Sequence, residues 1–414
     1  MVSAAEAQKG SGARRSVTAL VVLLVLAVLL NYVDRGAIGV AAPLMKTDLG
    51  LSATQFGIAV SGFFWIYGLA QPFTGWLADR ISVYRIFALG VAVWAVSTVL
   101  TGFVGGLTGL IVLRVLLGAG ESFVFPCSSK MIAIHVPPER RGVANGAMSV
   151  GIALGPALGT LAGGAILAQL GWRAVFVIFG AATLLWLIPW QMTLRTLAKP
   201  ETAQAGPPLM SYRKLLSHKA LWLLSLCHIT ANYGYFFTAI WLPLYLTSAR
   251  GFSIPTMTAF ATATFATMAL SSVIAGQLSD HLTRGGRDEG EVRRMVIVVG
   301  QIVVTIGVLG VAYAASPGAV LGWLLLTGFG LGLGTSMVFA LSQIFAGPRL
   351  AGSWVGVQNA MGSLSGIVGP IVTGMIVDAT GSFVGAFVFT AVVTGIGALL
   401  YLFVLPPIRQ IEGA

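Results

Sequence analysis

The chain has 414 residues, of which 57% are hydrophobic and only 9% charged, against roughly a quarter charged in soluble domains. That composition excludes a soluble globular protein. A net charge of +11 would suggest nucleic acid in a soluble chain, but here the basic residues follow a membrane topology, and no nucleic-acid partner is expected.

A helical span needs about 20 apolar residues, and twelve such runs are expected at 17–40, 53–77, 84–103, 107–133, 141–167, 173–195, 219–247, 256–279, 294–315, 318–345, 351–377 and 383–405. They are continuous apolar runs, not ten-residue alternating segments, so they predict helices and not a barrel. The first run lacks a small-residue cleavage site and retains Asp34 and Arg35, which makes it a span and not a removed signal peptide. The expected fold is an all-α integral membrane protein of twelve helices in two six-helix halves. Its expected segments are a tail at 1–16, a bundle at 17–195, a Pro- and charge-rich linker at 196–218, a second bundle at 219–407 and a tail at 408–414. With the N-terminus inside, 18 Lys and Arg fall on the cytoplasmic side and only 3 (Lys46, Arg173 and Arg250) on the other. This asymmetry predicts a multi-pass protein of the inner membrane with both termini cytoplasmic. Cys127 and Cys227 lie in apolar runs and read as buried thiols.

The halves repeat one another. Gly75-Trp-Leu-Ala-Asp79-Arg80 follows the second run, and Gly276-Gln-Leu-Ser-Asp280-His281 follows the eighth. Gly142-Val-Ala-Asn145 precedes Gly155-Pro156 by the interval that separates Gly356-Val-Gln-Asn359 from Gly369-Pro370. Duplicated halves are the arrangement of transporters that bind at the repeat interface.

Four ionisable residues, Asp34, Arg35, Arg114 and Glu121, sit within apolar runs. A charge at bilayer depth costs several kcal/mol unless paired or hydrated, so such residues face a bundle interior or a cavity. Two carboxylates with two guanidiniums combine a proton acceptor with an anion binder. Asp34 and Arg35 diverge by about 100°, so one can face a cavity while the other faces an adjoining helix. Arg35 is the candidate to grip a substrate carboxylate, because its planar fork matches that group bidentately and stays charged. Arg114 and Glu121 share one helix face two turns apart, and a permanent salt bridge between them is the structural alternative. Tyr32 lies three residues before Arg35, Tyr67 mid-span in the second run, and Asn359 in the eleventh beside small residues. Core packing with a satisfied hydroxyl is the alternative for either Tyr. His228 falls within the seventh run and could titrate near neutrality.

No enzyme signature is present. GLGLGT at 330–335 lacks a preceding strand and a following Lys, so it is not a phosphate loop. Four scattered His and two distant Cys give no metal-ligand spacing. Neither cofactor nor metal is expected.

GWLADRISVYRI resembles the loop signature of the major facilitator superfamily, although Ser82 replaces the usual second Gly and only Arg85 remains of the basic run. The resemblance implies a cytoplasmic gate of Asp79, Arg80 and Arg85, with Asp280 as its counterpart in the second half. NYVDRGAIGVAAP, SGFFWIYGLAQPFTGWLADR, RVLLGAGESFVFPCSSK and AGSWVGVQNAMGSLSGIVGPIVTG are similar to the anion:cation symporter family within it. That family implies proton-coupled symport of a small organic anion by alternating access, by a monomer in the lipid bilayer. It also implies substrate contact by Arg35, Tyr32, Tyr67 and Asn359, proton coupling through Asp34 and Glu121, and Arg114 as their charge partner. The competing expectation is a proton-coupled antiporter or exporter of an amphipathic solute, as in the spinster group, whose first span also carries Asn-Tyr-x-Asp-Arg.

Overall fold

In hydrocarbon every backbone N–H and C=O must be satisfied within the segment, so long apolar runs fold as helices. The computed structural model describes residues 4–136, 138–197 and 212–411; the side chains of Asp79, Arg80, Asn145 and Asp280 are among those outside the described set. Most of the expected linker, and with it part of the expected domain division, therefore lies outside the described residues; Tyr212–Leu216 within it forms a short helix.

Ten segments among the described residues are long and apolar enough to cross a membrane. One of them, Val150–Arg195, carries two of the expected spans, because the helix Pro138–Thr196 is broken at Gly171, with φ 79° and ψ 175°. Only glycine takes that backbone without strain. The remaining span, the seventh in chain order, is Lys219–Leu244, whose His228, Asn232 and tyrosines lower its hydropathy. The twelve spans are thus present, and the span containing each residue is numbered below in chain order.

The first span runs within Ala4–Asp48, past both expected ends. The second is Ala53–Arg80, the third Val83–Thr101 and the eighth Ile254–Arg284. The fourth is in two pieces, Leu107–Glu121 and Val124–His135, so its break follows directly on Glu121. The eleventh is broken at Ser363, between Pro317–Gly362, which also carries the tenth, and Leu364–Thr380.

Small residues set how closely these helices approach. A Cβ on Gly155 would lie 2.3 Å from Tyr32 Cβ, and one on Gly159 would lie 2.5 Å from Val33 O, so the fifth span packs on the first. In the second half Gly362 and Gly369 of the eleventh span meet His228 and Tyr233 of the seventh. First with fifth, seventh with eleventh: the packing follows the repeat read from Gly155-Pro156 and Gly369-Pro370. Between the halves, a Cβ on Gly39 would lie 2.2 Å from Ala239 O, and one on Gly57 would lie 2.2 Å from Pro370 O. The first span therefore meets the seventh, and the second meets the eleventh, at backbone contact. Their junction surrounds the buried charges.

Candidate functional site

Arg35 projects from the first span toward the second and fourth. Its Nε and Nη2 donate to Glu121 Oε2 at 3.1 and 3.0 Å. Glu121 is fully buried, while the Arg35 side chain keeps 15% exposure, enough to present it to a cavity. Three rings surround the guanidinium, with Tyr67 at 4.6, Tyr32 at 4.9 and Phe63 at 5.0 Å from ring centroid to Cζ. Their faces favour a cation. Phe63 and Tyr67 are four apart and so share one face of the second span. They stack with centroids 4.9 Å apart.

Asp34 points elsewhere, as the offset between neighbours requires. It is buried against the third span, where Trp94 Nε1 donates to Oδ2 and Thr98 Oγ1 donates to the same oxygen at 2.9 Å. Trp94 and Thr98 are again four apart, one turn of one face. Asp34 Oδ1 and Glu121 Oε1 have no hydrogen-bond partner among the described residues, and neither has Arg114 Nε.

Arg114 is buried and lies over the Phe176 ring at 5.7 Å. Asp34 and Glu121 are the charges that act on it, yet among the described residues no ion pair with Arg114 forms. The ion pair of Glu121 is with Arg35 of another helix, not with Arg114 of its own.

Arg35 and Arg114 line one cavity between the halves, together with Phe63, Phe64, Tyr235 and Phe236. Phe64 and Phe236 meet edge to face at 4.6 Å across the halves. The cavity holds about 30 Å³, room for a water or two and far below the roughly 300 Å³ of a small-molecule site. Solute entry therefore requires the surrounding spans to part.

Of the residues picked from the sequence, Tyr32 and Tyr67 gather around Arg35. Asn359 lies one layer further along, donating from Nδ2 to Gln71 Oε1 at 3.1 Å across the halves. His228 contacts Gln358 Nε2 at 3.5 Å, and Gln358 Oε1 accepts from Trp354 Nε1 at 3.1 Å. Arg85 is exposed, and the rest of the expected gate lies outside the described side chains. Phe63, Trp94 and Thr98 were not singled out in the sequence. Their spacing to Tyr67 and to each other was available, but nothing in the sequence brought the third span against Asp34. Among the described residues no group of His, Cys, Asp and Glu could hold a metal ion.

Comparison with known proteins gives this geometry its context. The model of the Major Facilitator Superfamily matches residues 24–370 and 290–412. The probable sulfoacetate transporter SauU of Cupriavidus necator is 29% identical over 91% of this chain and 90% of its own. The D-galactonate transporter of Escherichia coli O6:H1 is 28% identical over 97% of each chain, and the hexuronate transporter of Bacillus subtilis is 29% identical over 95% of each. Among solved structures, a bacterial homolog of the human lysosomal transporter Spinster, inward-facing and unoccupied, aligns with a TM-score of 0.82 over 95% of this chain and 98% of its own. At 21% identity that likeness concerns the fold. Family match, relatives and twelve-span fold agree: this chain is a multi-pass membrane transporter, not an enzyme, and belongs to the Major Facilitator Superfamily.

Proposed function

We propose that the protein carries a small organic anion together with protons, by alternating access. The observation that carries this reading is electrostatic: two guanidiniums, Arg35 and Arg114, line one cavity, and among the described residues only Arg35 of the two has a carboxylate partner in direct contact. A buried cation without a counter-ion is costly, so an incoming carboxylate or sulfonate gains what the protein leaves unmet. The relatives named for sulfoacetate, galactonate and hexuronate all handle solutes of that charge.

Coupling follows from competition. A solute carboxylate bound bidentately to Arg35 displaces Glu121, whose fully buried carboxylate then lacks its cation. An unpaired carboxylate in that setting is favoured in its neutral form, so solute entry draws a proton onto Glu121. Asp34, held by Trp94 and Thr98, is the second proton site and acts through Arg114. Tyr32, Tyr67 and Asn359 contact the solute, while Asp79, Arg80, Arg85 and Asp280 form the cytoplasmic gate. The protein works as a monomer in the inner membrane with both termini cytoplasmic, as the 18-to-3 basic asymmetry supports. The end carrying Asp48 and Asp378 then faces outward.

Purified protein in liposomes, given sulfoacetate, galactonate and a hexuronate under an inward proton gradient, tests the reading. Accumulation of at least one of them supports it. Failure to take up or be inhibited by any organic anion, with transport of an uncharged amphipathic solute instead, would replace it with the exporter reading.

A further inference from the structure

Asp378 lies close to the C-terminal end of Leu364–Thr380 and reaches across to the other half of the molecule. Its Oδ1 accepts from Ala53 N at 3.0 Å and its Oδ2 from Thr54 N at 2.8 Å. Ala53 and Thr54 open the second span, and the first N–H groups of any helix have no partner within it. The local cap supplies only part of what is needed. Ser52 Oγ accepts from Gln55 N at 3.1 Å, and Gln55 Oε1 accepts from Ser52 N at 2.9 Å, a reciprocal capping box. The first two helical donors are left to Asp378, whose negative charge also sits at the positive end of the helix dipole.

The same junction is closed by backbone packing. A Cβ on Gly374, one turn before Asp378, would lie 2.5 Å from Ala53 O. Between this end and the cavity, Phe56 and Trp241 meet edge to face at 5.8 Å. Asp378 itself is exposed. Water can therefore replace it at Ala53 and Thr54 when the helices part, so the contact is directional but reversible.

We infer that Asp378 is a latch: it caps the second span from the opposite half, holds the outer end shut, and must release before the cavity opens outward. The inference rests on the alternating-access reading above, but its test needs no solute. In full-length protein, Ile38, which lines the cavity, is replaced by Cys. A membrane-impermeant maleimide is then applied from the outside of intact cells, with the unsubstituted chain as the control for Cys127 and Cys227, both buried. Asp378→Asn is nearly isosteric and keeps one acceptor, so it guards against a folding failure that Asp378→Ala could cause. Labelling should accelerate roughly three- to tenfold in Asp378→Asn and at least as much in Asp378→Ala, in keeping with the size of charge–dipole effects at helix ends. Labelling from the inside should not accelerate. An unchanged outside rate in both variants would overturn the latch, as would equal acceleration from both sides, which marks general loosening. If no organic anion is transported, the proposed function falls while the labelling rates still decide the latch.

Discussion

Arg35 directs two nitrogens to a single oxygen of Glu121 and leaves the other, Oε1, without a partner, an arrangement that a solute carboxylate can displace. Arg35→Lys keeps the charge but loses the planar fork. Loss of one charged hydrogen bond costs roughly 1.5–3 kcal/mol, or about ten- to hundredfold in affinity. Solute competition for uptake should show that loss; near wild-type affinity in the Lys variant would remove Arg35 as the carboxylate clamp. Tyr67→Phe keeps the ring 4.6 Å from the guanidinium and should retain its positioning, whereas Tyr67→Ala should cost roughly 0.5–2 kcal/mol of cation–π contact. At this scale the sequence showed which residues matter, since ionisable groups in apolar runs stand out. It did not show their pairing. Arg114 and Glu121 share a face, but seven residues rise about 10.5 Å along a helix, and the nearer guanidinium comes from the first span. The Trp94 and Thr98 donors to Asp34 were hidden for the same reason: tertiary contacts have no period.

Helix positions were legible because hydropathy alone selects them in lipid. Their interruptions were less so. The fourth span is divided after Glu121, where Pro126 cannot donate to the Ser122 carbonyl, which accepts from Thr74 Oγ1 at 3.1 Å instead. The eleventh is divided at Ser363 without a proline or a positive-φ residue at the break to announce it. Close approach was foreshadowed by the glycine content but not its location. Gly118, three residues before Glu121, faces the second span so tightly that a Cβ would lie 2.1 Å from Phe63 O. Overpacking of this kind costs typically 1–3 kcal/mol. Gly118→Ala should therefore lower the melting temperature in detergent and weaken transport, by moving Glu121 relative to Arg35 and Phe63. A variant with unchanged stability and full activity would mean that the two helices are not held at backbone contact.

The whole molecule is two six-span halves meeting along the first, second and fifth spans of one and the seventh, eighth and eleventh of the other, and its sidedness rests on charge. A cysteine probe at Gly206 in the expected linker should resist membrane-impermeant reagents applied to intact cells; ready labelling there would reverse the topology. The twofold repeat was readable from Gly-Pro and Asn landmarks because equivalent helix contacts require equivalent small residues. The near-closure of the central cavity to about 30 Å³ was not, since the relative placement of two halves leaves no local trace. Coupling between solute and proton is the central claim, and Glu121→Gln tests it most directly. That variant fixes the acid in a neutral form, so linkage between protonation and solute affinity is removed. Uptake with and without a pH step is measured beside equilibrium exchange in liposomes. Exchange should persist while acceleration by an inward proton gradient disappears. Undiminished gradient-driven accumulation in Glu121→Gln would contradict coupling through the Arg35–Glu121 pair.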